Sequence, residues 1–418
     1  MKKKMLSLGT SILLLTALLA GCGSSAAPAG STSDETAAPA ASETAVPAEA
    51  TAPQLQLTDA DFTVEETLLK SQNFLTDVVL VTNNAQVPAR VTIDAVFQNA
   101  SGTEAGKDSN SRTLSPGETL PLFLYCSPAP DENCTPALSF TYEANPSAHF
   151  ITDQILLEEF RVSDNIIARI TNQSDSISQT VYMAALYYDA QGNLVDFTEE
   201  VMPGPGMQLN PDSTSTRLLI HTVPYDHAKV YVQASAYDPS VDNAAAVLDF
   251  DIRQYTIDGN DYFIVTNHSQ DLVWFRIEAV AKDAVGKPIE ASIMDVQALK
   301  PGETQVASAF LSTKGAETET NTHFSVDTWN TTPEYSFTSD MTVENQMIHV
   351  SITNDGTAPA QMIRTTVLLF DAENNLVGVE YGYAGDEQLQ PGRTLSIDVH
   401  STVAFDHAEV YVNGRPVE

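Results

Sequence analysis

The sequence has few cysteines, few tryptophans and few basic residues. Its 418 residues include 3 Cys and 2 Trp, and 20 Lys and Arg stand against 55 Asp and Glu. The formal net charge of −35 repels phosphate backbones, so we expect no nucleic-acid partner. The chain is nevertheless not predicted to be disordered, because 43% of its residues are hydrophobic and recur in patterned runs.

Familiar catalytic motifs are also missing. The sequence has no G-x-S-x-G elbow, no H-E-x-x-H, no Walker loop and no paired C-x-x-C. The run Asp258-Gly259-Asn260-Asp261 is the closest to a calcium loop, but its place between two strand-like segments favours a tight turn. We therefore expect a protein that is not an enzyme and that holds no cofactor and no metal ion.

Histidines recur in two groups that could be imagined as metal sites. Each group has one histidine followed by an Asp-His pair: His221 with Asp226-His227, and His400 with Asp406-His407. Both lie at a loop that enters a final strand, where the aspartate caps a turn and the histidine is partly exposed. The turn is the favoured interpretation.

The N-terminus has the three parts of a secretion signal. Lys2, Lys3 and Lys4 precede an apolar run from Met5 to Leu19, which is shorter than the roughly 20 residues of a membrane span. The run ends in Leu19-Ala20-Gly21-Cys22, which resembles the lipobox of bacterial lipoproteins. The resemblance implies removal of residues 1–21 and lipid on Cys22, which would anchor the protein to the outer face of a membrane. The alternative is a secreted protein with a chance cysteine.

A tether is predicted over residues 22–57. From Gly23 to about Pro53 the chain is rich in Ala, Ser, Thr, Pro and Glu and has almost no large apolar residue. Prolines and repelling acids keep such a segment extended, with a reach of roughly 90 Å at about 3 Å per residue. A low-complexity junction without a selected role would have the same physics.

The remaining chain repeats four times. In each repeat an apolar run ends in Thr-Asn, at Asn83, Asn172, Asn267 and Asn354, and is followed by Leu-x-Pro, beginning at Leu114, Leu209, Leu299 and Leu389. Repeats one and three share Leu-x-Pro-Gly-Glu-Thr, while repeats two and four share Asp-His-Ala-x-Val-Tyr-Val. This A-B-A′-B′ order indicates duplication of a two-domain block. The predicted domains are 58–150, 151–246, 247–334 and 335–418.

Apolar residues alternate with polar ones in these repeats. Phe275, Ile277 and Ala279 alternate with Arg276 and Glu278, which indicates a strand with one buried face. Seven or so short strands in about 90 residues are typical of an immunoglobulin-like β-sandwich. The predicted fold is all-β, with four separately folding sandwiches after the tether.

One motif order resembles a known group of domains. An apolar strand ending in Asn is followed by Tyr-Tyr-Asp-Ala-x-Gly-Asn-Leu-Val at Tyr187 to Val195 and then by Leu-x-Pro. This order is similar to the FxLYD group of small bacterial sandwich domains, with the better match in repeats two and four. The resemblance implies a surface or exported protein and no particular activity.

Two cysteines remain after Cys22 receives lipid. Cys126 and Cys134 flank a short loop of the first repeat, and an exported protein meets an oxidising compartment. We therefore predict a disulfide between them, which would contribute about 2–3 kcal/mol. The alternative of two free redox thiols would favour a C-x-x-C spacing.

Two classes of function remain open. One is binding or adhesion to an extracellular protein, peptide or glycan, and the other is a structural spacer or accessory subunit of a cell-envelope assembly. A solute-binding protein of a transporter is a third and poorer alternative, because it needs helices that this sequence lacks. We expect no further domain after the fourth sandwich, and we therefore expect the sandwiches themselves to bind. Trp274 and Trp329 are the candidate aromatic platform, although a tryptophan packed at a domain junction is an alternative.

Overall fold

The computed structural model describes residues 56–70, 75–126, 134–162, 165–204, 207–236, 248–385 and 387–417. All the described residues belong to one compact unit, Gln54–Glu418. The predicted signal peptide, Cys22 and the tether as far as residue 55 lie outside the described residues. Within the described ranges, no helix is long and apolar enough to cross a membrane.

The predicted all-β fold is confirmed. The described residues form strands in four consecutive sets of six, with two short 3-10 turns at Asp59–Asp61 and Thr152–Gln154. Set one comprises β1 (Phe62–Lys70), β2 (Leu75–Asn83), β3 (Ala89–Gln98), β4 (Glu104–Leu114), β5 (Thr119–Cys126) and β6 (Thr135–Ala144). Set two comprises β7 (Ile155–Val162), β8 (Asn165–Asn172), β9 (Ser178–Tyr188), β10 (Leu194–Met202), β11 (Thr214–Leu219) and β12 (His227–Ala236).

The last two sets continue the same order. Set three comprises β13 (Phe250–Ile257), β14 (Asn260–Asn267), β15 (Val273–Lys282), β16 (Pro288–Leu299), β17 (Thr304–Ala309) and β18 (Glu317–Val326). Set four comprises β19 (Phe337–Glu344), β20 (Met347–Asn354), β21 (Ala360–Phe370), β22 (Leu376–Tyr383), β23 (Thr394–His400) and β24 (His407–Pro416). Among the described residues each set thus has six strands, where about seven were expected.

Every set has the same two antiparallel sheets. Sheet I contains the first, second and fifth strands with the second in the centre, and sheet II contains the fourth, third and sixth with the third in the centre. The inner faces of the two sheets enclose a core, as in set three, where Phe263 and Val265 meet Phe275 and Ile277. Each set is therefore a small sandwich.

The repeated asparagine fastens the two halves of each sandwich. Each is fully buried, and its Nδ2 donates to the carbonyl four residues later and to the carbonyl of the leucine in Leu-x-Pro, at 2.8–2.9 Å. Its Oδ1 accepts the N–H two residues later. One side chain thus satisfies three backbone groups and links the end of the second strand to the Leu-x-Pro segment.

The threonine before each asparagine adds a second link. Its hydroxyl lies 2.7–2.9 Å from that of a threonine on the fifth strand, in the pairs Thr82–Thr119, Thr171–Thr214, Thr266–Thr304 and Thr353–Thr394. These residues are directly opposite each other in sheet I. Such cross-strand hydroxyl pairs contribute a few tenths of a kcal/mol to about 1 kcal/mol each.

The four sandwiches are stacked face to face. Sheet I of each set packs with its outer face on sheet II of the next, and each of the three junctions buries apolar side chains. Phe123 stacks on Phe197 at the first junction, Ile167 meets Val280 at the second, and Ile264 meets Leu368 at the third. The sandwiches are therefore in contact along the chain, and faces that were expected in water are covered.

Burial along the central strands follows from this stacking. The central strands at the two ends of the stack, β3 and β20, alternate between buried and less buried positions. By contrast, nine of the ten residues of β15 are buried, because a sheet covers each of its faces. The uncovered outer faces at the two ends carry polar side chains, such as Arg90 and Asp94 on β3 and His349 and Ser351 on β20. Polar end faces limit further stacking.

The turn predicted at Asp258 and Gly259 is confirmed. β13 and β14 form a hairpin in which Ile257 is paired with Asn260, so Asp258 and Gly259 are its two loop residues. Both have positive φ, 52° and 84°, as a type I′ turn requires. Asp261, the last residue of the calcium-like run, accepts hydrogen bonds from Thr256 and Thr320.

Candidate functional site

Trp274 lies on the face of β15 that meets set two. Its neighbour Phe275 points into the core of set three, so Trp274 projects to the opposite face, where only 7% of it is exposed. Its indole Nε1 donates to Asp295 Oδ1 at 3.1 Å, which satisfies the one polar group that burial would leave unpaired. Trp274 is therefore packed at a junction between two sandwiches.

Trp329 lies just beyond the end of β18 and is exposed. The centres of its ring and of Trp274 are 6.0 Å apart with an interplanar angle of 69°, an edge-to-face contact. Trp329 nevertheless remains 58% exposed. The contact thus holds one indole in place while leaving much of its surface open to a ligand.

Asp327 fixes the backbone that carries Trp329. The Oδ1 atom accepts the N–H groups of Trp329 and Asn330 at 3.0 Å, and Oδ2 accepts from Asn330 Nδ2 and the Ala298 N–H. Burial raises the pKa of Asp327, but these hydrogen bonds outweigh burial and leave the pKa below its usual value. The carboxylate stays ionised and holds the turn in one conformation.

Asp295 connects the two tryptophans to set two. It accepts two hydrogen bonds from Arg276, at 2.6 and 2.8 Å, besides that from Trp274. Arg276 in turn donates to the carbonyl of Pro203 in set two, which also accepts a hydrogen bond from Arg217. The site is therefore supported by both sandwiches.

The interior of the same junction contains a buried carboxylate. Glu278 has no exposed surface, and its two oxygens accept from Ser215 Oγ at 2.8 Å and from the Thr216 N–H at 2.6 Å. His323 Nε2 lies 3.3 Å from Glu278. Because Ser215 and Thr216 belong to set two and Glu278 to set three, these polar contacts align the two sandwiches under the tryptophans.

The structure brings the two predicted platform residues together, and it assigns them different positions. Trp274 is packed at a junction, as the alternative interpretation had it, while Trp329 is exposed as a platform requires. Asp295, Asp327 and Asn330 were not predicted from the sequence. No motif marks them, because Asp295 lies on a neighbouring strand and Asp327 follows the last strand of the set.

Cys126 and Cys134 are free thiols in the structure, which does not contain the predicted disulfide. Both are buried, and residues 127–133 between them lie outside the described ranges. The Cys126 sulfur fills the space above Gly106, where a side-chain Cβ would lie only 2.6 Å from it. Burial, with Cys134 nearby, raises the pKa of the Cys126 thiol. The disulfide remains a prediction for the exported protein.

The histidines of the two recurring groups make aromatic contacts. His227 stacks on Tyr188 at 5.2 Å, and His407 stacks on Phe370 at 5.3 Å. Asp226 and Asp406 lie beside them, at 3.2 and 3.3 Å from Nδ1. In the part of the chain that the structure describes, no three His, Cys, Asp or Glu side chains are grouped so as to hold a metal ion.

Comparison with known proteins gives no family. No family model matches the chain, and no curated protein matches it. Among solved structures, a red sea bream transglutaminase has a TM-score of 0.15 and 8% identity, covering 58% of this chain and 31% of that one. An Escherichia coli alpha-2-macroglobulin activated by porcine elastase has a TM-score of 0.14 and 11% identity, covering 85% and 44%. The chain spans less than half of either protein.

Proposed function

We propose that this protein is a membrane-anchored surface lipoprotein that binds an extracellular protein, peptide or glycan through its stacked β-sandwiches. The observation that carries the proposal is the exposed Trp329 ring, held against Trp274 and on a turn fastened by Asp327. A flat, fixed indole offers a large contact area at little entropic cost, which is why tryptophan dominates many binding sites.

Replacing Trp329 with alanine is expected to reduce ligand capture without unfolding the protein. The side chain is 58% exposed, so its removal opens no cavity in a core. Glycan arrays and pulldowns from cell surfaces, carried out on the wild type and the variant, measure this loss. Val285→Ala is the matched control, because Val285 is 87% exposed and lies in the loop between β15 and β16, at the opposite end of β15 from Trp274. Equal capture by all three proteins would contradict the proposal.

Tryptophan fluorescence provides an independent measure of the same site. The chain contains only Trp274 and Trp329, so all indole emission comes from this site. We expect Trp329→Phe to leave emission that acrylamide quenches poorly, since Trp274 is only 7% exposed. Trp274→Phe should leave readily quenched emission from Trp329. If acrylamide quenched Trp329→Phe readily and Trp274→Phe poorly, Trp329 would not be the exposed indole, and the proposed ligand surface would be wrong.

The membrane anchor is tested separately. Cells that express the wild-type protein in the presence of a radioactive fatty acid are expected to label it, and Cys22→Ala is expected to remove the label completely. Cys126→Ala serves as the control and should be labelled like the wild type. Label on the Cys22→Ala protein would contradict lipidation at Cys22. That result would not bear on the ligand site.

A structural role is the second candidate, and the stacking favours it. Each of the three junctions has buried apolar contacts and an ion pair, which would give the stack the stiffness that a spacer needs. Crosslinking on living cells separates the two candidates. A specific extracellular partner whose capture depends on Trp329 supports binding, and a constant neighbour in the cell envelope that is captured without Trp329 supports the spacer.

A further inference from the structure

The first and third junctions are built from equivalent positions of the duplicated block. In sheet I, Glu65 is paired with Leu80, and Arg253 is paired with Ile264. Leu80 and Ile264 each lie three residues before the repeated asparagine. In sheet II, Lys229 is opposite Leu186 as Glu409 is opposite Leu368. Tyr231 corresponds in the same way to Tyr411. The two junctions can therefore be compared residue by residue.

The third junction is closed by an ion pair at these positions. Arg253 of set three donates to both carboxylate oxygens of Glu409 in set four, at 3.2 and 3.0 Å, and to the hydroxyl of Tyr411 at 2.5 Å. The Tyr411 hydroxyl donates to Glu409 Oε2. One guanidinium thus joins set three to two side chains of set four.

The first junction has the same charges exchanged, and there the space is open. Glu65 replaces Arg253, Lys229 replaces Glu409, and no ion pair joins them within the described residues. Lys229 Nζ lies instead over the Tyr231 ring, 4.7 Å from its centre. A cavity of about 390 Å³ lies here, and its lining includes Glu65, Tyr188, His227, Lys229 and Tyr231.

The cavity places an anion and a cation on facing walls. Burial and the Glu65 carboxylate together raise the pKa of Tyr231 to about 12, so the phenol stays protonated beside Lys229. The volume lies within the roughly 300–1,000 Å³ that small-molecule sites occupy. A ligand that replaces the missing ion pair needs a positive group for Glu65 and a negative group for Lys229.

We propose that the cavity at the first junction binds a small zwitterion of the amino-acid or short-peptide class. Its ammonium group pairs with Glu65, its carboxylate pairs with Lys229, and its body lies against the rings of Tyr188 and Tyr231. This site is separate from the tryptophans, and the inference does not depend on the function proposed for them.

Calorimetric titration of the full mature protein with dialanine tests the proposal. We expect dialanine to bind at millimolar concentration, while N-acetyl-dialanine amide, which has the same body without charges, does not. Glu65→Gln and Lys229→Gln should each weaken binding about tenfold or more, because each leaves one charge of the ligand unpaired. Trp329→Ala should bind dialanine as the wild type does.

A charge exchange provides the most specific variant. The double substitution Glu65→Arg with Lys229→Glu copies the ion pair of the third junction, and it is expected to abolish dialanine binding while thermal unfolding shows the fold retained. Absence of dialanine binding to the wild type would overturn the proposal. Equal binding of the blocked dipeptide, preference for a neutral sugar such as maltose, or unchanged binding in the double variant would each overturn it as well.

Discussion

Asn354→Ala is expected to lower the free energy of unfolding of set four by about 3–5 kcal/mol, because the variant loses a buried side chain that satisfies three backbone groups. The variant leaves the carbonyls of Ala358 and Leu389 and the N–H of Gly356 without their partner. Each buried polar group left unpaired costs about 1–3 kcal/mol. Calorimetry should show the transition of set four at a temperature lower by about 10 °C or more.

Asn375→Ala is the matched control for this prediction. Asn375 lies in the same set and its amide bonds only to Asp371, but it is exposed, so water replaces the lost hydrogen bond. We expect a change below about 1 kcal/mol. Similar transitions for Asn354→Ala and Asn375→Ala would show that the repeated asparagine does not fasten the sandwich.

Asp77 is expected to make the stability of set one fall as the pH rises. This carboxyl is fully buried in the sandwich, and neither oxygen has a hydrogen-bond partner. Burial first, and then the charge of Glu66, raise its pKa from 3.8 to about 7. The folded state therefore binds the proton more tightly than the unfolded state, so the stabilisation is complete below about pH 4 and is lost as the pH rises through 7.

The size of this effect follows from the shift in pKa. A rise in the pKa of Asp77 from 3.8 to about 7 corresponds to a change of roughly 4 kcal/mol in the free energy of unfolding between low and high pH. Asp77→Asn cannot titrate, so its unfolding free energy, measured from pH 4 to 8, should lack this loss. Asp94→Asn, at an exposed position of the same set, should follow the wild type. A pH profile of Asp77→Asn that is parallel to the wild type would contradict the prediction.

The equivalent residue in set three shows why Asp77 is unusual. Asp261 occupies the same position and accepts hydrogen bonds from Thr256 and Thr320. In set one, the strand registers place Leu68 and Leu138 where those threonines lie. The duplication therefore preserved the aspartate in both copies, and only set one lacks the hydroxyl groups that would satisfy it.

Much of the fold was predictable from local patterns. The Thr-Asn and Leu-x-Pro motifs recur at near-constant spacing because one asparagine side chain bonds to the leucine carbonyl. Alternation within each strand indicated sheets with a buried face, and the turn at Asp258 and Gly259 followed from its residue types. These features depend on residues that are near in sequence or repeated.

The stacking was not predictable in the same way. Arg276 and Glu278 were interpreted as the solvent face of β15, because charged residues are rarely buried. In the structure they are 5% and 0% exposed, and each has partners in another sandwich. A polar residue on a strand has the same appearance in sequence whether it meets water or a partner 62 to 73 residues away. The position of Trp274 depended on this same distinction.

The four sandwiches form one continuous stack, and small-angle scattering of the compact unit Gln54–Glu418 tests this most directly. Eight sheets spaced about 10 Å apart predict a maximum dimension of about 80 Å. Four sandwiches joined end to end, with strands of about 10 residues, would reach roughly 140 Å. A dimension near 80 Å agrees with the stack, and one near 140 Å would contradict it.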